Sequence, residues 1–255
     1  METIALGFEE NRPESQKPHV SLRWGDAVQL MSQVEGNTVD LILTDPPYNL
    51  GLFMKNRQTN LARMRENYFG AAGWDHLEQP EWEESMRTFF RQAERLLKPG
   101  GALVIFMSVI RIETLVAIAE EEGFYYKTTG VWHKTNPMPR NMNLHFVNSN
   151  ECWAYFTYKS RTGKFNNNGV ELDYIESSVT PAKEKKHGKH PTQKPVKIMR
   201  HFVSLLTDPG DTVMDPFMGS GSTGVAAILE RRSFLGFDLE ANYVEIAKKR
   251  IEELD

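Results

Sequence analysis

Val39-Asp40-Leu41-Ile42-Leu43-Thr44-Asp45-Pro46-Pro47-Tyr48 is an apolar run that stops in a carboxylate, two prolines and an aromatic ring. β-Branched and leucine side chains bounded by a breaker mark a strand buried on both faces. Neither proline can carry a ladder onward, so the chain must leave the sheet at Asp45. In open α/β sheets, ligands sit just beyond the carboxyl ends of the strands. Asp45 and Tyr48 therefore stand at the lip of a crevice, on backbone stiffened by Pro46 and Pro47. Taken alone, the stretch reads equally as a strand-ending turn with an Asp cap and a packed Tyr.

A second stretch decides between these. Thr212-Val213-Met214-Asp215-Pro216-Phe217-Met218-Gly219-Ser220-Gly221-Ser222-Thr223-Gly224 again runs a strand into Asp-Pro, and then into glycines that open a helix over Val225 to Glu230. Glycines there let backbone approach a ligand closely, and a helix start offers N–H groups without intrahelical partners. Asp238 ends the following strand, Ser233 to Phe237, about 20 residues past the loop, where a carboxylate can accept both ribose hydroxyls of a nucleoside cofactor. The same spacing would suit a dinucleotide, but no hydride-transfer constellation accompanies it.

With these motifs together, the sequence resembles the DNA amino-methyltransferases that use S-adenosylmethionine. Asp45-Pro46-Pro47-Tyr48 matches their catalytic tetrapeptide and Asp215 to Ser222 their cofactor loop; the catalytic stretch comes first, the permuted order of the β class. His190-Pro191-Thr192-Gln193-Lys194-Pro195 matches the hexapeptide that commonly precedes the loop in that class. The resemblance implies a Rossmann-like α/β fold: a mostly parallel twisted sheet, helices on both faces and circularly permuted motif order. It also implies S-adenosylmethionine as cofactor and DNA as partner, with a second copy of the chain and a separately encoded restriction endonuclease as further candidate partners.

Site residues follow residue by residue. Asp215, Phe217, Gly219, Ser220, Gly221 and Ser222 would form the cofactor floor, and Thr192 and Lys194 would face its methionine end. Asp26, at another strand end, would neighbour the adenine ring or else cap a helix. The segment Trp132 to Pro139 resembles the stretch lining the pocket for the flipped base, which nominates Trp132, Lys134 and Asn136; Trp132 is equally readable as a core ring. Asp in the first tetrapeptide position is typical of adenine methylators and Ser of cytosine amino methylators, so adenine N6 is favoured over cytosine N4. Methyltransferases acting on RNA or protein, and a non-catalytic DNA-binding relative, remain as competing classes.

The composition sets the bounds. A chain of 255 residues with 40% hydrophobic content fits a single catalytic domain over residues 1–255. It has no apolar run near the length of a membrane span and no leader, so the expectation is a cytoplasmic protein. The single Cys152 excludes an internal disulfide, and no metal is needed where the methyl group carries its own activation. A net charge of −4 argues mildly against nucleic acid, but distribution matters more than the sum. Lys55, Arg57, Arg63 and Arg65 lie in an acid-free stretch, and Lys185 and Lys186 in a second basic cluster. Under the resemblance both are candidate phosphate contacts: residues 49–75 as a loop over the target base, residues 160–189 as a short target-recognition insert. Between them, helical spacing predicts a helix over Glu81 to Lys98, stopped by Pro99-Gly100-Gly101, before a strand over Ala102 to Met107.

Overall fold

The computed structural model of the chain describes residues 18–48, 77–138, 146–167 and 169–254. The basic stretch containing Lys55, Arg57, Arg63 and Arg65, and the loop over residues 49–75, lie outside them.

The strands are β1 (Val20–Trp24), β2 (Val39–Thr44), β3 (Leu97–Met107), β4 (Phe124–Lys134), β5 (Asn150–Tyr158), β6 (Tyr174–Ser177), β7 (Thr212–Asp215) and β8 (Ser233–Asp238). They form one sheet in the order β1-β8-β7-β2-β3-β5-β4-β6, in which β5 alone runs against the others. The helices are α1 (Ala27–Ser32), α2 (Gln79–Leu96), α3 (Ile112–Glu121), α4 (Val196–Leu206), α5 (Ser222–Leu229) and α6 (Ala241–Glu252). None is long and apolar enough to cross a membrane among the described residues.

Alternation along β2 explains why its centre, Leu41 to Leu43, is apolar on both faces. Ile42 packs on one side of the sheet with Phe89 and Phe90 of α2, Leu115 and Ile118 of α3 and Met31 of α1; Leu41 and Leu43 pack on the other with Phe202 of α4, Val225 of α5 and Ile251 of α6. A strand covered by helices on both faces is apolar where it meets them; its polar residues sit at its ends, Asp40 on Lys98 at 2.8 Å and Thr44 on Asp215 at 2.7 Å. Each such large side chain contributes roughly 1.5–3 kcal/mol by leaving water.

Two elements differ from the sequence reading. Helix α2 ends at Leu96, and β3 begins at once at Leu97, taking Pro99-Gly100-Gly101 into the strand as a bulge. Pairing with β2 jumps from Val39↔Leu97 to Leu41↔Ala102. Gly100 sits at φ +80, and a Cβ on Gly101 would fall 2.8 Å from the Lys98 carbonyl, so the turn-forming residues shape a bulge where a stop was expected. Within residues 160–189, Tyr174–Ser177 forms the edge strand β6 beside β4. Four residues, Tyr174 and Glu176 exposed, Ile175 against the core and Ser177 buried, are too short a run to read as a strand, and the pairing with β4 decides their conformation.

Candidate active site

Four adjacent parallel strands end on the same edge of the sheet, and each ends at an acid: Asp26 after β1, Asp238 of β8, Asp215 of β7 and Asp45 after β2. A cavity of about 630 Å³ opens there, lined by Asp45 to Tyr48 on one side and by Phe217, Gly219 and Asp238 on the other. The tetrapeptide and the glycine loop, far apart in the chain, therefore share one crevice.

At its tetrapeptide end the Asp45 carboxylate is engaged on both oxygens. Tyr48 Oη donates to Oδ1 at 2.7 Å, and the Lys194 ammonium pairs with Oδ2. Lys194 also lies 3.0 Å from Glu151 Oε2, and Glu151 Oε1 takes the Lys134 ammonium at 2.6 Å. Burial pushes the Asp45 carboxyl up; Lys194 opposes that and Glu151 reinforces it. Burial also acts on Glu151, but Lys194 and Lys134 outweigh it and hold this carboxyl below its ordinary value. Lys194 stays charged, because its two carboxylates overcome the cost of burying it.

At the other end, Gly219 at φ +50 turns its N–H onto Asp238 Oδ2 at 2.9 Å, and Glu240 N–H reaches Oδ1 at 2.8 Å. A Cβ on Gly219 would stand 3.1 Å from His190 Nε2, so only glycine keeps this wall of the cavity open. Burial, with Lys194 and Arg250 nearby, lowers His190 to about 4, leaving its ring neutral near pH 7. The lining fits a cationic nucleoside cofactor. Asp26, Asp45, Glu151, Asp238 and Glu240 face the cavity against the ammoniums of Lys134 and Lys194, and Asp238 keeps lone pairs for a ribose diol.

Asp215 has another role than lining. It is 3% exposed and lies outside the cavity wall, accepting from Thr44 Oγ1 at 2.7 Å, Thr223 Oγ1 at 2.6 Å and Phe217 N at 3.1 Å. It thus stitches the end of the catalytic strand to the glycine loop. Burial raises its carboxyl to about 7 despite those donors. The folded value lies above the unfolded one, so its contribution to stability is full below about pH 4 and is lost as pH rises through about 7, by roughly 3–4 kcal/mol in total. Asp215→Asn, which cannot ionise, should flatten this component. Urea midpoints measured from pH 4 to 8 should diverge between variant and wild type, and parallel curves would remove Asp215 as their source.

The cavity gathers Asp26, Asp45, Pro46, Pro47, Tyr48, Lys134, Thr192, Lys194, Phe217, Gly219 and Asp238 from the residues singled out in the sequence. Asp26 faces the cavity and caps α1 through Gln29 N at 2.9 Å. Other positions lie off the cavity wall or do further work. Trp132 is 2% exposed and packs in the core with its Nε1 donating to Ser177 Oγ at 2.9 Å, while Lys134, two residues on, covers its ring at 5.2 Å and reaches the cavity. Asn136 accepts from Val179 N at 2.8 Å and so fastens a loop. Ser220, Gly221 and Ser222 are buried behind the loop: Gly221 at φ +77 caps α5, and Ser222 Oγ donates to the Lys194 carbonyl at 2.7 Å. Lys194, expected at the cofactor's methionine end, pairs with the Asp45 carboxylate. Lys186 is paired with Glu253, and Lys185 is half-buried on the turn Ala182–Lys185. Two contributors were missed, Glu151 and Arg250, the latter donating to the Ser220 carbonyl at 2.6 Å.

Sheet order, acidic strand ends and a glycine turn facing a proline-stiffened carboxylate define a Rossmann-like methyltransferase fold. The particular family follows from comparison: residues 39–249 match the DNA methylase family of N6 and N4 methyltransferases, and the chain belongs to it. It is similar to the Type II methyltransferase M2.DpnII of Streptococcus pneumoniae, 33% identical over 252 residues, covering 94% of this chain and 92% of that protein. Among solved structures it resembles the M1.HpyAVI–SAM complex, with TM-score 0.70, 29% identity and coverage of 91% of this chain and 98% of that one. The cytosine-N4-specific PvuII DNA methyltransferase shares the fold, with TM-score 0.73 and 22% identity over 92% of this chain and 89% of that one.

Proposed function

We propose that this chain transfers a methyl group from S-adenosylmethionine to the N6 amino group of adenine in DNA, on a base rotated out of the duplex. The observation that carries this is the single cavity lined by both Asp45 and Gly219. When bound, the cofactor supplies an electrophilic methyl whose C–S bond breaks with its electrons staying on sulfur. Asp238 would hold its ribose, Asp26 its adenine, and Phe217 and Gly219 its floor.

The chain's own task is the amine, whose lone pair is delocalised into the base. Asp45 would accept one amino proton and the Pro46 carbonyl the other, which favours a pyramidal nitrogen with its lone pair aimed at the methyl. Pro46 and Pro47 hold those acceptors rigid. The Tyr48 ring would stack on the extruded base, a term of roughly 1–3 kcal/mol that offsets lost duplex stacking. After transfer the nitrogen sheds a proton to Asp45. Adenine is favoured over cytosine by the Asp in the first tetrapeptide position, and the Type II relatives support DNA as substrate. A single domain, with residues 49–75 over the base and residues 160–189 reading the target, completes this reading. It extends to a cytoplasmic site of action, a second copy of the chain and a separately encoded restriction endonuclease.

Tritiated cofactor offered with DNA, RNA and protein tests the substrate class, and nucleoside digestion of the product separates N6-methyladenine from N4-methylcytosine. Label confined to RNA or protein would sink the proposal. For the second basic cluster, Lys185→Ala with Lys186→Ala should flatten the dependence of log affinity on log salt, since each phosphate neutralised adds about 0.9 to the slope. An unchanged slope would leave both lysines to solvent and Glu253.

A further inference from the structure

Lys194 is shared by two carboxylates, and only one of them belongs to the catalytic tetrapeptide. Asp45 follows β2; Glu151 lies on the antiparallel strand β5; Lys194 comes from the segment leading into α4. The ammonium is 4% exposed on its side chain, paired with Asp45 Oδ2, 3.0 Å from Glu151 Oε2 and 5.0 Å from the centre of the Phe106 ring. Glu151 in turn holds Lys134 at 2.6 Å, so it stands between two cations. With Tyr48 on Oδ1, Asp45 carries one hydroxyl donor and part of one ammonium. A carboxylate has about four lone-pair sites, which leaves it room for an amino proton.

A buried ammonium with one anionic partner would bind that partner fully. Asp45 would then be the neutralised half of an ion pair, a poor acceptor for a third group. We propose that Glu151 is a positioning residue which, by taking its share of Lys194, keeps Asp45 able to accept a proton of the target amine. The inference rests on the methyl-transfer reading. In the step concerned, the amine lone pair forms the new N–C bond as the C–S bond breaks with its electrons left on sulfur; an N–H bond then breaks, its electrons remain on nitrogen and the proton bonds to an Asp45 oxygen. No further reactant is required.

The groups facing Asp45 are Tyr48, Lys194, Glu151, Asp215 of β7 and, through Glu151, Lys134 of β4; His190 faces Lys194. Burial and Glu151 raise Asp45, whereas Lys194 and Lys134 hold Glu151 down. Environments that drive two carboxyls apart sort the one that takes a proton from the one that stays charged. Here Asp45 is the acceptor and Glu151 the standing anion.

The test is the rate of transfer to DNA across about pH 5 to 9, with cofactor affinity measured separately by calorimetry. In Glu151→Gln, Lys194 belongs wholly to Asp45. The turnover number should fall about tenfold or more, and the acidic limb should move to lower pH by about one unit, with cofactor affinity unchanged. Glu151→Asp should recover part of the rate. Lys134→Met should move the limb the other way, because Glu151 then acts on Asp45 with its charge less compensated, and this variant carries the test should Glu151→Gln not fold. A limb that stays put in both variants, or rises in Glu151→Gln, overturns the inference. Wild-type protein that methylates no DNA at all would instead refute the reading beneath it.

Discussion

Asp45→Asn should lower single-turnover methyl transfer by about 10³-fold while cofactor affinity stays within about threefold of wild type. The substitution keeps the shape and removes the acceptor charge. An amide in that position can present its NH₂ to the target amine, which repels a donor, and it cannot take up the proton the product nitrogen must lose. Stability should change little, because Lys194 keeps Glu151 as a partner 3.0 Å away and is not left as an unpaired buried cation. Cofactor affinity is spared because the hydrogen bonds that place Gly219, Phe217 and Asp238 run through Asp215 of β7, Asp238 of β8 and the glycine turn and touch none of the altered atoms. Rapid quench with tritiated cofactor on saturating DNA measures the rate, and calorimetry the affinity. Transfer at the wild-type rate would take Asp45 out of the chemistry. A parallel collapse of cofactor affinity would show that it acts through the fold.

The strand tips were legible because they are local: an apolar run broken by Asp-Pro leaves few conformations open. Helix α4 over Val196–Leu206 is legible in the same local way, since Pro195 marks its start and its apolar period is unbroken. The bulge at Lys98 to Gly101 was hidden for the opposite reason. Pro-Gly-Gly reads as a stop in any local scheme, and only the partner strand β2 draws it into the ladder. Glu151 and Arg250 went unnoticed because each has an ordinary local explanation. Glu151 opens a strand, where an acid at the rim is unremarkable. Arg250 sits in the last turn of α6, where a cation complements the helix dipole. Their partners lie at Lys194 and Ser220, which only the folded chain brings near. Trp132 is open between pocket and core in the sequence; its burial with Phe202 and Met199 answers to the core reading, while Lys134 over its ring reaches the cavity.

Arg250→Met should cost about 3 kcal/mol of stability, seen as a fall of about 6 °C or more in the thermal midpoint, and should weaken cofactor binding about tenfold. The guanidinium is 7% exposed and has few degrees of freedom left. One nitrogen donates to the Ser220 carbonyl at 2.6 Å and lies 3.2 Å from the hydroxyls of Ser220 and Ser222; the other stands 3.8 Å from Glu184. Glu184 itself receives the Val196 N–H at the start of α4 at 3.0 Å, and its carbonyl receives Gln193 Nε2 at 2.9 Å. One side chain from the last helix therefore ties the glycine loop to the turn and hexapeptide that deliver Lys194 to Asp45. Methionine fills much of the volume but donates nothing, leaving a buried carbonyl without its donor and a carboxylate without its cation, the expensive way to break a buried pair. Arg250→Lys should restore the charge near Glu184 but only part of the binding, since a single ammonium cannot reproduce the fork that spans Ser220 and Glu184. Thermal melts with and without cofactor separate the two effects: a midpoint lowered equally in both would mean that Arg250 supports the fold alone, whereas a cofactor-induced shift that shrinks as well marks the loop as its target. Wild-type values for both quantities would show that the glycine turn keeps its shape without this clamp.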